Sequence, residues 1–284
     1  MVRPLSPATA PNPMSRPYPR CFSSLGCVEL TLDETFALAS RHNLDAVELR
    51  GLGGSLDVPV WLAQTYGDPE SFAAHAARSP ARIAALDTSF RLIGNTPADR
   101  DAFLQFILWA EAAGIPRLRV FDGGGKAGLT DADLAEALGT LSWWNTLRRE
   151  KGWRTDLMIE THDALTTTPA LRRFLAAAPA GTGILWDTHH TWRIGGENPA
   201  DTWAAIRSSV VHLHVKDSVS APADRHPYTY VPPGQGEFPM SGLRDALTRD
   251  ACTVPVSLEW ERHWHPKLAP LDEALASAAD HRWW

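Results

Sequence analysis

The sequence predicts a single-domain α/β chain, a (β/α)8 barrel, and three observations predict it. Short apolar or β-branched runs alternate with helical patterns eight times from residue 20 to the C-terminus, the mark of repeated βα units around a parallel sheet. The 284 residues allow one large domain or two modest ones, and a closed barrel of about 250 residues falls within that range. Five of the apolar runs end in carboxylates or imidazoles, and in such barrels reactive groups sit where strands end and βα loops begin.

Residues 1–19 form a proline-rich tail, expected to be flexible. They hold no apolar h-region and no twin arginine, so they do not read as a signal peptide, and Met14 is an alternative start. The barrel is expected over 20–284. A strand at 21–23 leads to a helix capped by Thr31 or Asp33 and ending near His42. The strand at 46–49 is followed by a long glycine-bearing loop and a helix at 69–78. The third strand spans 83–86, and its helix opens at Pro97, where proline suits the first turn, and stops at Gly114. Then come strands at 119–121, 157–159 and 184–186, with helices at 130–150, 168–178 and 199–208. The seventh strand, 210–215, precedes a long loop and a helix at 241–249. The eighth, 254–258, precedes a last helix at 271–279. An open doubly wound sheet would need a phosphate turn after an early strand. Gly51-Leu52-Gly53-Gly54 lacks the third glycine of the dinucleotide fingerprint, and Gly123-Gly124-Gly125-Lys126 lacks the leading glycine and trailing Ser/Thr of a P-loop.

Composition narrows the function. With 44% apolar and 21% charged residues the chain is a globular one able to bury a large core. A net charge of -6 gives no basic field for a polyanion, so no nucleic-acid partner is expected. No run reaches the 18 or so apolar residues of a membrane helix, so no membrane partner is expected either. Cys21, Cys27 and Cys252 have no metal spacing and suit a reducing compartment, hence a cytoplasmic location. Twelve tryptophans against four tyrosines are mostly core, although a sugar cleft also favours indole faces. Trp192, Trp260 and Trp264 adjoin candidate site residues and could supply such a wall, whereas Trp109, Trp143 and Trp203 sit in helical patterns.

The chemistry lies at the strand ends, in Val47-Glu48, Ile159-Glu160-Thr161-His162, Trp186-Asp187-Thr188-His189-His190, the run from His212 to Asp217, and Leu258-Glu259-Trp260-Glu261. A charge beside a buried strand is costly unless paired, hydrogen-bonded or metal-bound. Singly, each residue reads as a salt bridge or strand cap. Clustered on strands 5 to 8 they read as a site. Glu160, Asp187, His214 and Glu259 offer three oxygens and one nitrogen and no thiolate, which is not a closed structural zinc set. Such donors favour one divalent ion per chain, Mn2+ first, with Mg2+, Co2+ or Zn2+ as alternatives, in six-coordinate geometry that leaves two positions for substrate oxygens. His212 and His214 point the same way from a strand. His214 is preferred as nearer the strand's C-terminal end, with His212 the second choice. Glu48 could support the ligands, touch a substrate hydroxyl, or pair with Arg50. Loop 217–239 is long enough to be a lid. His162, His189 and His263 keep a second metal open, and Lys126, Arg193, Lys216 and Arg225 are the cations loosely placed for a phosphate.

Taken in succession, VELR, IETHD, ILWDTHHTW, VVHLHVKDS and VSLEWE resemble the xylose-isomerase-like TIM barrels, the sugar phosphate isomerase/epimerase superfamily that includes D-tagatose 3-epimerases and inosose dehydratases. The similarity runs over nearly the whole chain from residue 20, and its motifs mark the superfamily rather than a member. The resemblance implies that Glu160, Asp187, His214 and Glu259 hold the metal, that Glu160 and Glu259 are the acid/base pair, and that His190 binds substrate. Further substrate contacts are expected at Glu48, His162, Lys216, Asp217 and Trp260. Where the epimerases carry an arginine shortly after the strand-7 histidine, this chain has Lys216-Asp217-Ser218. The implied activity is that of a metal-dependent isomerase or epimerase of a carbohydrate, a sugar or keto-sugar. A metal on the carbonyl and neighbouring hydroxyl stabilises the developing enediolate, and carboxylates on opposite faces of the carbon abstract and return its proton. If a β-hydroxide leaves instead, the same site is a lyase, dehydrating an inosose or eliminating from a 3-keto-glycoside. An abasic-site endonuclease shares the barrel but needs three metals and histidines where this chain has Glu48-Leu49-Arg50 and Asp87-Thr88-Ser89. A non-catalytic barrel has little reason to keep two carboxylates at a metal. A homo-oligomer stays open.

Overall fold

The structure, a computed structural model, describes residues 18–284. Its strands are β1 (Arg20–Ser23), β2 (Ala46–Leu49), β3 (Arg82–Ile93), β4 (Arg117–Gly123), β5 (Asp156–Glu160), β6 (Gly183–Asp187), β7 (Val210–Val215), β8 (Asp217–Val219), β9 (Thr229–Val231) and β10 (Val256–Leu258). Eight of them close a parallel barrel in the order β1-β10-β7-β6-β5-β4-β3-β2, while β8 and β9 pair apart as an antiparallel hairpin. The helices are α1 (Leu32–Arg41), α2 (Val58–Tyr66), α3 (Pro69–Ala76), α4 (Pro97–Ala112), α5 (Asp131–Lys151), α6 (Thr168–Ala177), α7 (Thr188–Arg193), α8 (Pro199–Ile206), α9 (Met240–Arg249) and α10 (Leu271–Asp280). The (β/α)8 barrel expected from the sequence is therefore the fold. No helix among the described residues is long and apolar enough to cross a membrane.

Local chemistry sets the helix starts. Thr31 with Glu34, Thr96 with Asp99 and Thr130 with Asp133 form capping boxes, each satisfying two orphan N–H groups. Thr31 rather than Asp33 caps α1. Helix α5 stops where Gly152 adopts a left-handed φ of 69°, a turn that glycine makes without a Cβ penalty.

Alternation along each strand divides the core. Phe22, Val47, Leu86, Val120, Ile159, Trp186, Leu213 and Leu258 join the helices in one apolar layer. On the opposite, interior face, Cys21 with Ala46 and Ala84, and Ala85 with Met158 and Leu185, form two small clusters. The cysteine and alanines among them leave room in the narrow barrel interior for the charged residues nearer the strand ends.

Four elements depart from expectation. α2 fills what reads as a loop, because Asp57 caps it and Pro59 fits its first turn, although VPVWLAQTY shows no clean polar face. β3 continues to Ile93, resuming its pairing with β4 at Arg91 and Ile93 after a register shift between Asp87 and Arg91. α7 leaves β6 without a loop. Within the long loop after β7 lies the β8–β9 hairpin. Of the expected tail, residues 1–17, Met14 included, lie outside the described residues, and Tyr18 is already buried against the core.

Candidate metal and catalytic site

Glu160 and Asp187 are the last residues of β5 and β6, His214 lies in β7, and Glu259 directly follows β10. In strand register His214 pairs with Asp187 and with Ser257, two residues before Glu259, while Glu160 pairs with Leu185, two residues before Asp187. Each offers a donor atom, and the four atoms lie within 4.8 Å of one another. His214 Nδ1 is 3.3 Å from Glu259 and 3.8 Å from Glu160. Neighbouring donors around an octahedral ion with bonds of about 2.1 Å are about 3 Å apart, so the spacing fits. Glu160 Oε2, Asp187 Oδ2 and His214 Nδ1 are buried without an aligned hydrogen bond, although Glu160 Oε2 lies 3.2 Å from Arg119 and Asp187 Oδ2 lies 2.9 Å from Lys216. The other Asp187 oxygen accepts the N–H groups of His189 and His190, both at 2.9 Å, at the start of α7. That fixes the carboxylate with Oδ2 turned to the cluster.

Charge balance points the same way. Buried carboxylates Glu48, Asp87, Glu160, Asp187 and Glu259 outnumber the buried cations Arg50, Arg119 and Lys216. Burial pushes Asp87 up to about 7, with the Glu48 charge adding to it. Burial would also raise Glu160, but Arg119, 3.2 Å away, holds it near 2. His214 shows the opposite response. Burial disfavours its cation, yet Glu259 and Glu48 draw it well above the usual histidine range. Lys216 Nζ sits 2.9 Å from Asp187 and 2.6 Å from Glu261 and also touches Glu259, and these carboxylates keep it protonated against burial. A divalent cation among the four donors would replace the proton that His214 borrows, so the donor set and its charge both fit one.

The structure brings His190 and His162 to the same mouth. His190 Nδ1 lies 3.0 Å from the Thr161 carbonyl and 3.2 Å from Asp187, which turns the other ring nitrogen away from the carboxylate. His162 stands edge-on to it, ring centres 5.0 Å apart, with 39% of its side chain exposed. Burial works against its charge, but Asp163 holds its pKa up at about 9.

Several expected contacts have other partners. Glu48 is fully buried and meets His212 and His214 at 3.0 and 2.9 Å rather than a substrate hydroxyl or Arg50, whose guanidinium bonds Ser89. Trp260 is 1% exposed and donates its indole N–H to the Ala269 carbonyl, so it packs in the wall of the barrel and offers no ring face to a sugar. Asp217 accepts the N–H groups of Ser218, Gly234, Gly236 and Phe238, which makes it the clasp of the loop above the site. His189 is buried, bonds Ser218 and lies between Trp192 and Tyr228, away from the donor cluster. His263 stands edge-on to Trp264, whose exposure is 41%. Arg193 ties α7 to Ser218, Ser220 and Glu237. Asp122 gathers with His162 and Asp163, but its oxygens accept the N–H groups of Gly123, Asp163 and Leu165 and order that loop.

Four contributors were given no role at the site in the sequence reading. Arg119 and Asp87 face the interior from β4 and β3, and Glu261 and Tyr230 close the lysine pocket, with the Tyr230 hydroxyl donating to Glu261 at 2.8 Å. Arg119 could have been found as a charge on the inward phase of the RLRVF strand. Glu261 shares the phase of Glu259.

A comparison with solved structures shows the same fold at low identity. The probable 3-DHS dehydratase AsbF of Bacillus anthracis aligns with a TM-score of 0.73 at 16% identity, over 92% of this chain and 98% of that one. An IOLI protein described with a binding zinc atom gives 0.71 at 16% identity, over 93% and 96%. A D-tagatose 3-epimerase-like protein gives 0.65 at 16% identity, over 93% and 96%. Among curated proteins no sequence match reaches significance. The family model described as xylose isomerase-like TIM barrel matches residues 36–283, and the chain belongs to that family.

Proposed function

We propose that the protein is a divalent-metal-dependent isomerase or epimerase of a sugar or keto-sugar, with Glu160 and Glu259 as the proton-transferring pair. One observation carries the reading, the convergence of Glu160, Asp187, His214 and Glu259 donors within 4.8 Å at the strand ends. The ion, Mn2+ by preference for this donor set, would act as a Lewis acid on neighbouring substrate oxygens. The remaining work falls to the chain. Arg119 and Lys216 hold Glu160 and Glu259 ionised, as bases must be. His190 presents a ring nitrogen at the mouth, and the β8–β9 hairpin limits water. The family includes sugar isomerases by name, and a zinc atom in the IOLI neighbour agrees with a metal in this barrel.

Elimination in the same site is the second reading. It is favoured by His162, an imidazolium at the mouth that could protonate a departing hydroxide, and it agrees with the dehydratase name of one structural neighbour. One experiment tests both. Protein stripped with chelator and reloaded with Mn2+ is incubated in heavy water with a panel of ketoses, inososes and keto-glycosides, and products are read by mass spectrometry. Deuterium entering the α carbon at unchanged formula supports isomerisation, and loss of water supports the lyase. Exchange on no substrate, or roughly three zinc ions per chain as an endonuclease needs, would sink the proposal.

A further inference from the structure

Beneath the four donors lies a second buried group that their chemistry does not use. Glu48 reaches from β2 toward β7, three strands away around the barrel, with β1 and β10 between them. Its Oε1 lies 2.9 Å from His214 Nε2 and its Oε2 lies 3.0 Å from His212 Nε2. Ser257 of β10 donates its hydroxyl to Oε1 at 2.9 Å. All three ionisable side chains are at most 2% exposed. Neither contact is an aligned hydrogen bond, so both are close polar contacts between the carboxylate and a ring nitrogen.

We propose that Glu48 and His212 are positioning residues of the metal centre: His212 steadies Glu48, and Glu48 holds the His214 ring by Nε2 so that Nδ1 is the ligating atom. The inference rests on the metal-dependent reading above. An imidazole ligand turned about its Cβ–Cγ bond would swing Nδ1 out of the donor cluster. A carboxylate against the opposite nitrogen prevents that rotation and raises the basicity of the ligating one, and partners of this kind are worth about 10- to 100-fold in metal affinity. Glu48 could not stay placed by the His214 contact alone, because a carboxylate so deeply buried needs its second oxygen met as well. His212 meets it. His212 also borders a cavity of about 610 Å3 lined by Arg82, Pro116 and Pro255 at the strand starts, at the barrel end away from the mouth. It lies two strand positions below His214, about 6–7 Å, so a change there does not act by touching substrate.

The same three residues could instead hold an ion of their own. That would require metal on both His214 nitrogens and removal of both ring protons, whereas a carboxylate between two imidazoles needs neither. The two arrangements differ in stoichiometry and in which variants matter.

The test is calorimetric titration of chelator-stripped full-length protein with Mn2+, and with Co2+ to record its visible absorption, for wild type, Glu48→Gln, His212→Leu, His212→Asn and His212→Gln. The Gln amide nitrogen falls near the position of Nε2 and keeps a donor to Glu48, while Asn is polar but too short. Wild type is expected to bind about one equivalent. Glu48→Gln should weaken it about 10- to 100-fold and His212→Leu and His212→Asn about tenfold, each with a shifted Co2+ spectrum, and His212→Gln should return close to wild type in both. Two loss variants keep the test alive if one does not fold, which circular dichroism of the metal-free protein reports. Affinity and spectrum unchanged in both His212→Leu and His212→Asn would overturn the assignment while leaving the function intact. A second equivalent in wild type that vanishes in His212→Leu would replace it with a metal site. No binding by wild type would remove the function and the inference together.

Discussion

At the scale of single residues, the two glutamates of the donor cluster have the same ligand chemistry but different neighbours. Glu160 faces Arg119, and Glu259 faces Lys216 and His214. Changing either to Gln keeps size and a coordinating oxygen but removes the basicity. Turnover is expected to fall by about 10² to 10⁴ in each, with metal partly retained. In heavy water one variant should lose α-carbon exchange and the other should keep exchange without product, which assigns the abstracting face. Full activity in both would leave a bare metal-binding barrel. The donors themselves were legible in the sequence, since apolar runs ending in a carboxylate or imidazole on strands 5 to 8 can meet only at one mouth. What lies between them was not. Arg119 shows an inward phase in β4, but nothing local says that it meets Asp87 of β3 and Glu160 of β5, and the contact made by His212 depends on a glutamate three strands away.

The clearest example at the scale of elements is the hairpin above the site. Asp217 collects four backbone N–H groups from the loop, and a Cβ at Gly236 would fall 2.1 Å from its carboxylate oxygen. Glycine is therefore required there by close approach. Gly236→Ala should push the carboxylate off its donors and loosen the hairpin, visible as faster proteolysis within 220–238 and a raised KM, with metal affinity near wild type. Unaltered protease resistance would mean that the loop is held by Tyr228, Tyr230 and Phe238 packing instead. From sequence the loop was readable as a covering segment by its length alone. Its hairpin was not, because DSV and TYV are short strands whose register is set by the Asp217 clasp and not by a turn motif. Helix α2 was missed for a related reason, since a helix packed under α3 and α4 shows apolar residues on more than one side. The eight barrel strands were readable because parallel strands covered by helices keep an apolar outer phase whatever the site demands within.

For the whole molecule, the metal-dependent reading predicts that stability depends on the metal and on pH together. His214 has a folded-state pKa well above its unfolded value of about 6.5, because Glu259 and Glu48 overcome its burial. A raised histidine contributes stability that is fully present below the unfolded value and is lost as pH rises through the folded one. Metal-free protein should therefore lose stability on going from about pH 6 to about pH 8. Glu160 and Glu259 are depressed by their cations, so their contribution is complete above about pH 5 and does not offset that loss. Metal binding displaces the His214 proton, so below the folded pKa its apparent affinity should rise about tenfold per pH unit. At saturating ion that adds about 1.4 kcal/mol per unit to the stabilisation by ligand, or a few degrees in Tm for a domain of this size. The gap in Tm between Mn2+-loaded and chelated protein should thus widen steadily with pH. In His214→Ala it should be small and flat, and in His212→Gln it should widen as in wild type. Differential scanning calorimetry at several pH values between about 6 and 8 measures it directly. A gap that stays constant in wild type would show that no proton leaves His214 when metal enters, and that this nitrogen is not a ligand.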